Sequence, residues 1–90
     1  MKMSLAKIKD HLRAGAYAWP GGYPLYFICV DGEALSFKDV RENWREVVRA
    51  HLSRWGDPCW TLAGCGINWE DTELVSAHSY EKIESAYGQD

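Results

Sequence analysis

Three cysteines, Cys29, Cys59 and Cys65, are the residues best suited by type to covalent or metal chemistry, and their spacing argues against both. No two stand as Cys-x-x-Cys, so a thiolate zinc site and a disulfide framework both lack their usual signal. Cys29 sits in an apolar run and Cys65 inside Gly64-Cys65-Gly66. Free cysteine is among the most buried residue types, so the three read as small, reduced core residues. A catalytic thiol needs a histidine and a positive pocket beside it, and the local sequence supplies neither. No phosphate loop, dinucleotide fingerprint or metalloprotease motif occurs. The chain reads as a non-enzyme without a cofactor.

Contact chemistry has more to work with. Arg41, Arg45 and Arg49 recur every fourth residue and so form one stripe along a helix. Such a stripe suits phosphates or an acidic partner. Glu42 and Glu46 run beside it, and ion pairs three or four apart, worth ~0.2–0.5 kcal/mol each, also describe a solvated face. Glu70, Asp71 and Glu73 make an acidic tip beside Trp69. A cation site would need more oxygens at ordered spacing, whereas an acidic loop with an aromatic suits a protein contact. Trp19 and Tyr23 flank Pro20-Gly21-Gly22 and either fold over the core or make a contact of the same kind.

These residues must be positioned by a single domain over residues 1–90. The chain is 47% hydrophobic, with five Trp and five Tyr, enough aromatic surface for a core without staples. A net charge of -3 excludes a strongly basic nucleic-acid binder. No apolar run approaches the ~20 residues that span a bilayer. Met1 to Asp10 lacks the apolar stretch of a secretion signal, so a cytoplasmic location is expected.

Hydrophobic periodicity predicts the elements. Leu5, Ile8 and Leu12 mark a short helix from Ser4, an N-cap, to Gly15. Tyr17 to Pro24 is too rich in Pro and Gly for regular structure. Leu25 to Val30 reads as a strand, Asp31-Gly32 as a hairpin turn, and Glu33 to Leu35 as the return. Ser36 to Trp55 reads as one long amphipathic helix, its apolar face built from Phe37, Val40, Trp44, Val47, Val48, His51, Leu52 and Trp55. Ser36 and Asp39 fit a capping box, with the Asp39 carboxylate reaching back. Cys59 to Trp69 reads as a strand with a bulge near Gly64 and Gly66, returning through Leu74-Val75 as a second hairpin. A last helix runs from about Ser79 to Tyr87, and Gly88 to Asp90 fray. The expected class is α+β: a small antiparallel sheet of two hairpins packed on one long helix, with short terminal helices.

Several stretches bear a resemblance. Tyr-Ala-Trp-Pro-Gly-Gly-Tyr-Pro-Leu-Tyr-Phe (17–27), Asp-Gly-Glu-Ala-Leu (31–35), Val-Arg-Glu-Asn-Trp-Arg (40–45), Asn-Trp-Glu-Asp (68–71) and Ile-Glu-Ser-Ala-Tyr (83–87) resemble a group of small uncharacterised proteins of tailed bacteriophages. Many members of that group carry one Cys-x-x-Cys after the first hairpin and another near the C-terminus, the spacing of a four-cysteine zinc site. The second pair usually has a His between its cysteines and a Gly after it. This chain has Ser36 and Asp39 at the first pair and Ser76 and Ser79 at the second, with His78 between them and Tyr80 at the glycine. Serine is a poor zinc ligand, and one Asp with one His does not complete a site. The resemblance therefore implies a metal-free scaffold derived from zinc knuckles, with Ser36 and Ser79 reused as helix caps. If the old geometry persists, these positions cluster, and Ser with His and Asp is a pattern of nucleophilic catalysis. Capping is the better reading, because no oxyanion hole lies beside any of these serines.

The function expected from this combination is a non-enzymatic phage or mobile-element protein that binds and inhibits a host protein or ribonucleoprotein complex, in the manner of anti-CRISPR proteins. The alternative is a nucleic-acid-associated accessory protein using Arg41, Arg45 and Arg49.

Overall fold

The computed structural model describes residues 2–87, so the expected fraying of Gly88–Asp90 lies outside the described residues. The fold is α+β with a small antiparallel sheet. Its elements are α1 (Leu5–Ala14), β1 (Tyr17–Ala18), β2 (Tyr23–Cys29), β3 (Ala34–Leu35), α2 (Phe37–Glu42), α3 (Trp44–Leu52) and β4 (Leu62–Ile67).

The first helix forms as its sequence predicts. The Ser4 hydroxyl accepts the Lys7 N–H, and Gly15 ends the helix at φ 101° with its N–H on the His11 carbonyl. Ile8 is fully buried, and the Met3 N–H donates to the Leu62 carbonyl, seating the helix start beside β4. Strand β2 is the centre of the sheet and pairs with β1, β3 and β4. The register against β4 slips between Ile28 and Cys29, leaving Ala63 as the extra residue of a bulge beside Gly64. The Asp31-Gly32 turn closes as expected, with Gly32 at φ 89° and its N–H on the Cys29 carbonyl.

Alternation along β2 turns Leu25, Phe27 and Cys29 towards the core. Phe27 stacks on Phe37 with ring centroids 4.4 Å apart. Ile8, Leu35, Val40, Val47 and Leu62 close around them.

Five expectations need correction. Tyr17–Pro24 is not irregular: Tyr17 pairs with Pro24 and Ala18 with Tyr23, because only Pro20, Gly21 and Gly22 fall in the turn between them and Pro24 is itself a residue of β2. The long helix is two helices. It breaks at Asn43 (φ -114°, ψ 33°), whose backbone N–H and side-chain amide both donate to the Asp39 carbonyl. The second of these helices ends at Leu52, which is 74% exposed, and Trp55 beyond it is 87% exposed, so neither lies on the buried face.

The second hairpin and the last helix do not form. Strand β4 pairs with β2, and Val75 makes only a single bridge, to Lys82. Asn68 explains both. Its buried side-chain amide donates to the carbonyls of Asp71, Ile83 and Glu84, and its Oδ1 accepts the Asp71 N–H. That network turns the chain after β4 and draws the last segment in without regular structure. The N–H groups of Ala86 and Tyr87 then bond the carbonyls of Asn68 and Trp69.

Candidate functional site

Ser36, Asp39, Ser76 and Ser79 come together at the start of α2. The Ser36 hydroxyl caps that helix by accepting the Asp39 N–H at 3.0 Å. The other half of the expected box is different: the Ser36 N–H donates to the Ser76 hydroxyl at 3.0 Å, not to Asp39. The Asp39 carboxylate faces the C-terminal segment instead. One of its oxygens accepts the Ser76 hydroxyl at 2.5 Å, the Ser79 hydroxyl at 2.7 Å and the Ser79 N–H at 3.2 Å. Ser79 therefore caps no helix; it ties residues 76–79 to α2. Burial raises the Asp39 pKa, but the hydrogen bonds from Ser76 and Ser79 and the charge of His78 outweigh it, and the carboxyl lies below its ordinary value. His78 itself packs its ring on Trp60, centroids 5.1 Å apart.

This arrangement is a clasp rather than a reactive centre. Ser76 is fully buried, out of reach of a substrate. Both hydroxyls spend their protons on the same carboxylate. One carboxylate and hydroxyls already satisfied by one another do not fit zinc. Among the described residues no group of three or more His, Cys, Asp or Glu is placed to hold a metal.

The cysteines are chemically quiet. Burial, with help from Asp31, pushes Cys29 up to about 12, and its thiol donates to the Cys59 carbonyl. Burial pushes Cys65 up to about 11. Cys59 corrects the expectation of a core residue: it is exposed, and the neighbouring Asp57 carboxylate raises its pKa. None of the three is a thiolate near neutral pH.

The most distinctive surface lies along α3. Val47, Ala50 and His51 turn into the core. His51 does more than an ordinary helix residue: its Nε2 accepts the Leu62 N–H at 2.9 Å, joining α3 to β4. Burial, then the charge of Lys2, lowers its pKa. One step round the helix, Trp44, Val48 and Leu52 form a second apolar stripe, and one step further stand Arg45 and Arg49. These residues line an open groove of about 830 Å³. A second hollow of about 490 Å³, lined by Lys9, Leu12, Arg13, Arg41 and Trp44, continues it towards α1. Arg41 donates to the Leu12 carbonyl at 2.9 Å, fixing the junction. Arg13 and Arg49 pair loosely with Asp10 and Glu46, while among the described residues Lys9 and Arg45 have no ion-pair partner.

The remaining candidates gather elsewhere. Trp69 lies between Tyr23, at 4.9 Å between ring centroids, and Tyr87, at 6.1 Å, so the loop and the tip share one aromatic patch. Trp19 projects from the β1–β2 turn, 77% exposed. Glu70, Asp71 and Glu73 are exposed, and the Asp71 carboxylate accepts the Glu73 N–H. Charge is divided accordingly: residues 56–90 carry seven acidic side chains and one basic, residues 1–55 nine basic and six acidic. The sequence had a signal for the groove. Trp44, Val48 and Leu52 repeat every fourth residue, making the apolar face wider than a two-turn contact with the sheet can cover.

No family model matches the chain, and no curated protein or solved structure is similar to it. No helix among the described residues is long and apolar enough to cross a membrane.

Proposed function

We propose that this chain is a non-enzymatic protein-binding module of a bacteriophage or other mobile element, acting inside the host cell by occupying a host protein or ribonucleoprotein complex. An inhibitor of a defence complex, in the manner of anti-CRISPR proteins, is its concrete form. The observation that carries the binding role is the α3 groove, where Trp44, Val48 and Leu52 remain open beside Arg45 and Arg49. An apolar stripe flanked by arginines suits a partner surface. The phage origin rests on the resemblance. It is supported by the convergence of Ser36, Asp39, Ser76 and Ser79, and by Tyr80, which stands at the resembling group's glycine with φ 62° in the left-handed region.

The test is infection of hosts carrying defined defence systems, with this chain expressed in trans. Restored plaquing with the parent, lost on Arg45→Glu with Arg49→Glu while the fold is kept, is expected. Unchanged plaquing across all systems sinks the inhibitor reading. The scaffold's origin has its own test. Replacing Ser36, Asp39, Ser76 and Ser79 by Cys, with Tyr80→Gly, should create a protein that binds one zinc per chain, whereas a chelator should leave the parent's melting temperature unchanged.

A further inference from the structure

The groove along α3 also says what kind of surface it takes, on the reading that the chain binds protein. It is a wide, shallow surface on one helix, its apolar part, the floor, made by Trp44, Val48 and Leu52, and its basic edge by Arg45 and Arg49. The hollow that prolongs it past Trp44 adds Lys9, and neither Lys9 nor Arg45 is neutralised by a neighbouring carboxylate among the described residues. The floor runs parallel to a helix of nine residues, a length of about 13 Å, which two or three turns of a second helix would cover.

We propose that the occupant is an acidic amphipathic helix of a partner protein, its apolar face on Trp44, Val48 and Leu52 and its carboxylates against Arg45, Arg49 and Lys9. Charge complementarity selects this occupant. A second copy meeting the groove through a two-fold axis would set Arg45 and Arg49 against themselves. A nucleic-acid backbone would satisfy the arginines but leave the apolar floor against phosphates. A helix with apolar residues three and four apart and Glu or Asp alongside satisfies both parts of the groove at once.

The experiment uses two labelled synthetic peptides of about 18 residues, sharing one leucine stripe and carrying either Glu or Lys at the flanking positions. Binding to the full chain is read by fluorescence anisotropy. The Glu peptide should bind at least about tenfold more tightly than the Lys peptide. Arg45→Glu with Arg49→Glu should invert that preference, and Leu52→Ser should weaken both peptides, with circular dichroism unchanged. Such an inversion is a readout that mere loss of folding does not produce. Equal affinity for the two peptides overturns the acidic helix while leaving a protein-binding groove in place. Failure of both peptides overturns the groove as a helix site. A labelled oligothymidylate that binds instead, with affinity falling steeply as salt rises and lost in the double variant, overturns both this proposal and the protein-binding role. Concentration-dependent sedimentation abolished by Leu52→Ser would place a second copy in the groove and overturn the partner helix.

Discussion

The two ends of the segment from Ser36 to Trp55 solve opposite problems. At its start, polar groups are buried and every one is answered: Asp39 is 2% exposed and takes two hydroxyls and an N–H. At its end, apolar groups are exposed: Leu52 stands in solvent beside Arg45 and Arg49, and Trp55 is covered only by the Arg54 guanidinium, 5.9 Å from its ring centroid. Among the described residues no buried side-chain nitrogen or oxygen lacks a hydrogen-bond partner. A small domain that satisfies its interior so fully and leaves a tryptophan and a leucine outside has divided the work. On the proposed function, the clasp supplies stability and the groove is left for contact.

The largest expected effect breaks the clasp. Asp39→Ala strands the Ser76 and Ser79 hydroxyls and the Ser79 N–H, and hydrogen bonds to a charged group contribute roughly 1.5–3 kcal/mol each. A loss of about 3 kcal/mol is expected, read by urea denaturation, and is a large share of a small domain's stability. A loss below about 0.5 kcal/mol would mean that the carboxylate holds nothing together.

Trp44 sits on the border between the two regions, packed against the core on one side and lining the groove on the other. Half-buried as it is, Trp44→Ala should cost less than the ~3–5 kcal/mol of a fully buried aromatic, about 2 kcal/mol. It should also weaken partner binding. A variant that loses stability without losing binding would move the groove's floor to Val48 and Leu52 alone.

Acid should dismantle the interior in two steps. His51 accepts the Leu62 N–H only while neutral, and its folded pKa lies below 6.5. Its contribution is whole above 6.5 and is lost as pH falls from there towards the folded value, because the unfolded chain takes up the proton first. Asp39 has a folded pKa below 3.8, so its contribution is whole above 3.8 and is lost as pH falls through the folded value. Melting temperature followed against pH should fall in both ranges. His51→Gln, whose side-chain oxygen can still accept, should flatten the upper step alone; an unchanged upper step would assign it to another group.

Local signals on the chain foretold the parts of the fold that depend on local chemistry. Ser4, Gly15, Asp31-Gly32 and Ser36 each act within a few residues, and each does what its type predicts. What was not legible depends on single polar side chains that the apolar pattern does not register. The helix breaks at Asn43 although its apolar pattern runs straight through, because one residue's departure to φ -114°, ψ 33° leaves the periodicity unchanged. Asn68 replaces a hairpin and a helix by holding carbonyls 15 and 16 residues away. The candidate site was half visible. Arg41, Arg45 and Arg49 announced themselves by spacing, but the apolar stripe beside them was read as core, since periodicity alone does not say how much of a wide face the sheet covers.

A smaller effect, of opposite sign, is expected at Tyr80. Its φ of 62° costs a tyrosine roughly 1–2 kcal/mol that a glycine does not incur, and its side chain is 76% exposed. Glycine also loosens the unfolded chain, so the net gain for Tyr80→Gly should be about 0.5 kcal/mol. That corresponds to a rise of roughly 2–4 °C in melting temperature. A fall would mean that the exposed ring packs on the clasp closely enough to outweigh the strain.

The smallest effect on stability should accompany the largest effect on binding. Leu52 is 74% exposed at the end of α3, and its backbone, not its side chain, carries the last helical turn. Exposed substitutions away from caps and cores change stability by no more than about 0.5 kcal/mol. Leu52→Ser removes apolar surface that water already covers, so it should melt with the parent and be, if anything, the more soluble of the two. Bound to a partner, the same side chain would be desolvated against the groove's occupant, and burying a leucine contributes about 1.5–3 kcal/mol. That converts to a loss in affinity of roughly ten- to a hundredfold. The two readouts separate the regions: a residue of the clasp moves stability and leaves the groove's chemistry alone, and Leu52 should do the reverse. Equal and substantial losses in both would show that the groove is part of the core, left open only in the unbound chain, and the division of work between the two ends of this segment would fall.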